Sequence, residues 1–143
     1  MTEGSPTTIM ALDVGGRRIG VALASSVARL AQPFKTLENS TGIFEDIVRL
    51  AKEQNVSVIV VGRPRGLSGQ TTEQTEVTEA FAAKLKKHSA IEIHLQDEAV
   101  TSAQAEAELK AKGQSFAKAD VDALAATYIL EDYMHDHMEA NRV

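Results

Sequence analysis

The chain contains no cysteine and only 3 prolines among its 143 residues. Without cysteine there are no disulfide staples, thiolate zinc sites or thiol nucleophiles, so any hydrolytic chemistry has to rest on carboxylates, hydroxyls or imidazoles. Few prolines and no low-complexity runs exclude a disordered or fibrous chain. Aromatic side chains make up 4% of the sequence, too few for a platform on which single-stranded bases stack. No stretch approaches the length of a membrane span, and residues 1–7 have neither a positive n-region nor an apolar h-region, so a cytoplasmic protein with no membrane partner is expected. Positive charge is also in deficit: 15 Lys and Arg stand against 20 Asp and Glu, a net charge of −5. Such a chain does not grip nucleic acid through its overall field, and any nucleic-acid site has to be local.

What is present is 43% hydrophobic residues, enough to bury a core in one domain spanning residues 1–143 with ragged ends at 1–7 and 137–143. Thr8 to Asp13 reads as a central strand ending on a carboxylate. A Gly15-Gly16 turn carries Arg17 and Arg18 into a second strand, Ile19 to Ala24, and Ser25 to Glu38, with Pro33, reads as an edge strand. Ser40 or Thr41 is expected to cap a helix whose Ile43, Ile47, Leu50 and Ala51 share a face, ending near Gln54 or Asn55. Val56 to Val61 is a β-branched run for a buried strand, left through a loop with Arg63 and Arg65. Thr71 and Gln74 have capping-box spacing before a helix with Val77, Phe81 and Leu85 facing inward. Ile91, Ile93 and Leu95 alternate with Glu92, His94 and Gln96, a half-buried strand that stops at Asp97-Glu98. Thr101 and Gln104 open an alanine-rich helix that Gly113 ends, and a last helix starts near Lys118 with Val121, Leu124, Ala125, Tyr128, Ile129 and Tyr133 on one broad face. The order β-β-β-α-β-α-β-α-α predicts an α/β layer fold on a mixed sheet.

Asp13, Asp97-Glu98 and Asp122 converge on the carboxyl edge of that sheet, where open α/β sheets bind ligands. Carboxylates collected without an intervening cation repel one another, and a fold that gathers them does so to hold a hard divalent ion, Mg2+ or Mn2+. Two ions about 3.5–4 Å apart can activate water and stabilise the leaving oxygen in phosphodiester cleavage. In that scheme Asp13 bridges both metals, while Glu98 and Asp122 each complete one shell. Strand ends and first helical turns also favour acids for purely structural reasons. Asp120, on another side of the last helix from Asp122, is assigned such a dipole-stabilising role, and Asp97 a turn cap or a partner of Glu98. His94, His135 and His137 read as solvated strand or tail residues, Met134 and Met138 as helix packing or a frayed end.

Four segments carry a resemblance. ALDVGGRRIGVALAS, VVGRPRGLSG, QDEAVTS and VDALAATYILEDY, in this order and spanning nearly the whole chain, resemble the motifs of the pre-16S rRNA nuclease family, homologues of the RuvC Holliday junction resolvases. The resemblance implies a ribonuclease H-like fold with a mixed five-stranded sheet, antiparallel first strands and helices on both faces. It implies a divalent-metal-dependent nuclease that processes the 5′ end of pre-16S rRNA in ribosome biogenesis, with Asp13, Glu98 and Asp122 as its catalytic and metal-binding residues. Two positions depart from the family pattern: Ala99 stands where arginine follows Asp-Glu, and Arg63 replaces an apolar loop residue. Arg17, Arg18, Arg63 and Arg65, otherwise readable as scattered surface charge, then become the residues that receive the nucleic-acid backbone. Expected partners are RNA, within a pre-ribosomal particle or outside one, and branched DNA, with the chain a monomer or homodimer. The competing readings are a non-catalytic nucleic-acid or ribosome-binding module, a junction resolvase acting on DNA, and an actin or sugar-kinase type ATPase, which needs two such domains and more chain than this one has.

Overall fold

A computed structural model describes residues 6–66, 68–98, 102–113 and 117–137. Its elements are β1 (Thr8–Val14), β2 (Arg18–Ser25), β3 (Gln32–Glu38), α1 (Ile43–Glu53), β4 (Val56–Arg63), α2 (Glu73–His88), β5 (Glu92–Asp97), α3 (Ser102–Ala111) and α4 (Lys118–His137). The sheet runs β3-β2-β1-β4-β5, with the first three strands antiparallel and β1-β4 and β4-β5 parallel. This is the mixed sheet that the element order predicts, because each parallel pair is joined through a helix.

Alternation along β1 divides the core in two. Met10, Leu12 and Val14 join Ile19, Val21, Ile59 and Val61 against α1 and α2, through Ile43, Ile47, Leu50, Phe81 and Leu85. Ile9 and Ala11 join Ala22, Ala24 and Val60 against Ala126, Ile129, Leu130 and Tyr133 of α4. A satellite cluster of Val121, Leu124, Leu109 and Tyr128 seats α3 on α4, where Tyr128 also donates to Glu108 at 2.5 Å. The broad face of α4 is therefore split between the sheet and α3.

Several local expectations are corrected. Only Gln32–Glu38 pairs with β2; residues 26–31 form a loop in which Arg29 takes φ 56°. Gly42, not Ser40 or Thr41, is the N-cap of α1, because the Ser40 carbonyl closes a backbone turn by accepting from Ile43 N–H at 3.1 Å. The α2 capping box is Thr72 and Thr75. Thr71 instead accepts from Arg65 at 3.1 Å and the Gln74 amide reaches the Val14 carbonyl at 3.3 Å. Thr75, whose hydroxyl also donates to the Pro64 carbonyl, rotates α2 so that Thr75, Thr78 and Ala82 face inward and Val77 is 51% exposed. Strand β5 is half-buried as expected, except that Gln96 is buried and donates to Asp136 at 2.9 Å. His94 is half-buried and takes Tyr133 as hydrogen-bond partner at 3.0 Å, whereas His135 and His137 are exposed as expected, His137 with its ring stacked on Tyr133. Met134 is buried in helix packing, and Gly113 follows α3 at φ 69°. Thr101, Ala99, Met138 and most of the expected ragged ends lie outside the described residues.

Candidate active site

Asp13 continues the Ile9-Ala11 row of β1 and so projects toward α4 rather than into the larger core. Its antiparallel partner is Gly20. A Cβ at Gly20 would lie 1.9 Å from the Asp122 carbonyl oxygen, so only glycine lets the first turns of α4 rest on β2 beside Asp13. On the other side of β1, Gly62 follows the Val61 that pairs with Leu12, and a Cβ there would meet Ile129 Cδ1 at 2.3 Å and Glu98 Oε1 at 3.1 Å. Two glycines inside strands thus clear the space that Asp13, Glu98 and the start of α4 share. The sequence reading missed them, although glycine within an otherwise β-branched strand signals close approach of another chain segment. Glu98 is held at the strand end by its own N–H, which donates to the Arg63 carbonyl at 3.0 Å.

The Asp13 and Glu98 carboxyls hydrogen-bond to each other. Burial, the Asp13 charge and that bond push the Glu98 carboxyl up to about 8; burial and then the nearby Asp122 charge raise Asp13 as well, against the lowering effect of the Glu98 bond. Near neutral pH the Glu98 carboxyl therefore keeps its proton, because burial and a neighbouring carboxylate both disfavour its charged form. Asp122 is turned to Arg18, whose Nε donates to Oδ2 at 2.6 Å.

The candidate arginines separate into distinct groups. Arg18 lies at the acids and Arg17 is exposed at the hairpin tip. Arg63 is the cross-strand partner of Asp97 and bonds it at 2.8 Å while reaching Glu79 at 3.2 Å. Arg65 also points to Asp97, at 3.3 Å. Arg63 first and Arg65 after it hold the Asp97 carboxyl below the usual range, so an ionised Asp97 spans both guanidiniums. Arg63 and Arg65 are thus committed to Asp97 and Glu79 rather than presented bare to a phosphate. Asp97 is their anchor, not a partner of Glu98. Asp120 accepts from Ala117 N–H at 2.9 Å, the helix-start role assigned to it.

All the donors at the acidic cluster are oxygens, the chemistry that suits a hard divalent cation. Asp13 and Glu98 are already together. Asp122 is held by Arg18, and among the described residues no three acidic or imidazole side chains stand close enough to share an ion in this arrangement.

A family model described as RuvX, Holliday junction resolvase, matches residues 7–136. The chain belongs to the RuvX family. It is 41% identical over 130 residues to a Chloroflexus aurantiacus protein named as a pre-16S rRNA nuclease, covering 88% of this chain and 85% of that one. A Shewanella oneidensis protein of the same name is 32% identical, with 91% and 95% covered. Among solved structures, Thermus thermophilus RuvC in complex with a Holliday junction substrate superposes with a TM-score of 0.57 at 13% identity, covering 92% of this chain and 96% of that one. The fowlpox virus Holliday junction resolvase gives 0.53 at 11%, with 91% and 99% covered. The fold is therefore the ribonuclease H-like fold of the RuvC resolvases, and membership of RuvX makes the chain a nuclease, an enzyme that hydrolyses phosphodiester bonds.

Proposed function

We propose that this chain is a divalent-metal-dependent endonuclease of the cytoplasm that trims the 5′ end of pre-16S rRNA, with Asp13, Glu98 and Asp122 as its metal-binding catalytic residues within a single domain. The observation that carries the reading is the placement of the half-buried Asp13 and Glu98 with the Asp122 segment of α4, on the face that glycines 20 and 62 open to α4. A fold does not bury and crowd carboxyls for stability, since each raises the cost of ionising the next. Mg2+ or Mn2+ held by these residues would supply charge neutralisation at the scissile phosphate and an activated water.

The protein's own residues do the rest. Asp13, on a central strand, fixes the position of the cluster, and Glu98 would be a ligand in its ionised form. Arg17 and Arg18, at the hairpin tip, receive the ribose-phosphate backbone. Arg63 and Arg65 act at one remove, by holding the loop that follows β4 against Asp97. The names of the relatives support RNA as substrate, and the family description supports branched DNA as the other arm of the test.

Cleavage of a 5′-extended 16S precursor and of a synthetic four-way DNA junction, with Mg2+ or Mn2+, separates the readings. Metal-dependent cutting of the RNA is expected, reduced at least 100-fold by Asp13→Asn. Cutting of the junction alone would make this a resolvase, and a folded protein inactive on both would make it a binding module.

A further inference from the structure

Arg18 opens β2 two residues before Gly20, so both lie on the face that also carries Asp13. Its bond to Asp122, at 2.6 Å, is a short charge-assisted contact. The backbones on either side are fixed. The Asp122 carbonyl rests against Gly20, and the Arg18 carbonyl accepts from Gly15 N–H at 2.9 Å, in a hairpin braced by Asn39, which donates to the Gly15 carbonyl at 2.9 Å. What can still turn is the two side chains, and the Arg18 side chain is 35% exposed to approaching ligands. Asp13 and Asp122 flank the same glycine, Asp13 as the cross-strand partner of Gly20 and Asp122 with its carbonyl packed on it.

We propose that Arg18 is a substrate-operated latch on the third carboxylate. In the absence of nucleic acid it keeps Asp122 away from a cation held by Asp13 and Glu98. A phosphodiester anion that takes the guanidinium sets Asp122 free to join that cation. The latch rests on the metal-site reading above and adds an order of events to it. Arginine's planar fork fits phosphate as well as carboxylate, so the exchange replaces one charge-assisted bond with another while Asp122 gains a divalent partner. Cation and nucleic acid then strengthen each other's binding, reciprocally and through one side chain. Arg17, next to it, brings the same charge but pairs with no carboxylate among the described residues, and is not part of the device.

The test is Mn2+ binding by titration calorimetry to the full chain without nucleic acid. Arg18→Gln is expected to tighten Mn2+ binding about tenfold, the worth of one charge-assisted bond. Arg17→Gln is expected to change it by no more than about twofold, as for a screened surface charge. In an Asp122→Asn background Arg18→Gln should bring no gain. An equal gain from Arg17→Gln, a gain that survives Asp122→Asn, or no gain while Asp13→Asn still abolishes binding would each overturn the latch and leave the metal site standing. Mn2+ binding absent from wild type and Arg18→Gln alike would overturn both.

Discussion

The two faces of the sheet are built differently. Toward α1 and α2 it presents Met10, Leu12, Ile19, Val21, Ile59 and Val61, all fully or almost fully buried. Toward α4 it presents Ala11, Ala22, Ala24 and Val60, with Gly20 and Gly62 beside Asp13. Large side chains hold helices off a sheet, whereas glycine and alanine let the backbone of α4 come down onto β2. A face approached this closely has less apolar volume to contribute, yet it can enclose a carboxyl between sheet and helix and withdraw it from water. One face supplies most of the apolar burial and the other houses the acidic pair.

The largest effect treats both faces alike. Val60→Asp on the α4 side and Ile59→Asp on the other would each bury an unpaired carboxylate at a position with no exposure, and both should abolish the cooperative thermal transition. A folded Val60→Asp beside an unfolded Ile59→Asp would show that the α4 face is not needed for the fold.

Next come two variants that ought to part company. Leu12→Ala empties the large-residue face and should cost about 3 kcal/mol while leaving nuclease activity near wild type below its melting temperature. Gly20→Ala places a methyl group against the Asp122 carbonyl, and should cost about 2 kcal/mol while cutting activity at least tenfold at a temperature where it is fully folded. If the two lost activity in proportion to stability alone, the division of labour between the faces would be wrong.

The last effect is a slope, small at any one pH unit. The folded chain holds the Glu98 proton up to about 8, against 4.5 for an unperturbed glutamate, so it binds this proton more firmly than the unfolded chain does. Stability from this group is present below the ordinary carboxylate range and is lost as pH rises through about 8. Denaturant unfolding of the metal-free protein should therefore show stability falling with pH between those values, by up to about 1.4 kcal/mol per pH unit. Glu98→Gln should flatten the slope and Leu12→Ala should leave it unchanged; an unaltered slope in Glu98→Gln would place the titration elsewhere.

How much of this could be read from residues alone follows the range of the interactions. Strands β1, β2 and β4 announce themselves, because β-branched runs bounded by glycine are local signals, and Asp13 and Glu98 stand at strand ends that the pattern marks. The α1 cap, the α2 capping box and the outward turn of Val77 were misplaced by a residue or a rotation, since Thr71, Gln74 and Thr75 are claimed by Arg65, Val14 and Pro64 from other elements. The roles of the arginines were less legible still. Arg63 meets Asp97 because β4 and β5 are in register at those residues, and Arg18 meets Asp122 across 104 positions of chain. Opposite charges at two strand ends hint at the first pairing, and nothing local hints at the second.

The acidic cluster takes one residue from β1 and one from α4, two elements that stand more than 100 positions apart in the chain. Its contacts are thus among the most distant in sequence that the chain makes, and such contacts form late because their loop-closure entropy has to be met first. During synthesis the β1–β2 hairpin emerges with Asp13 long before Asp122 exists.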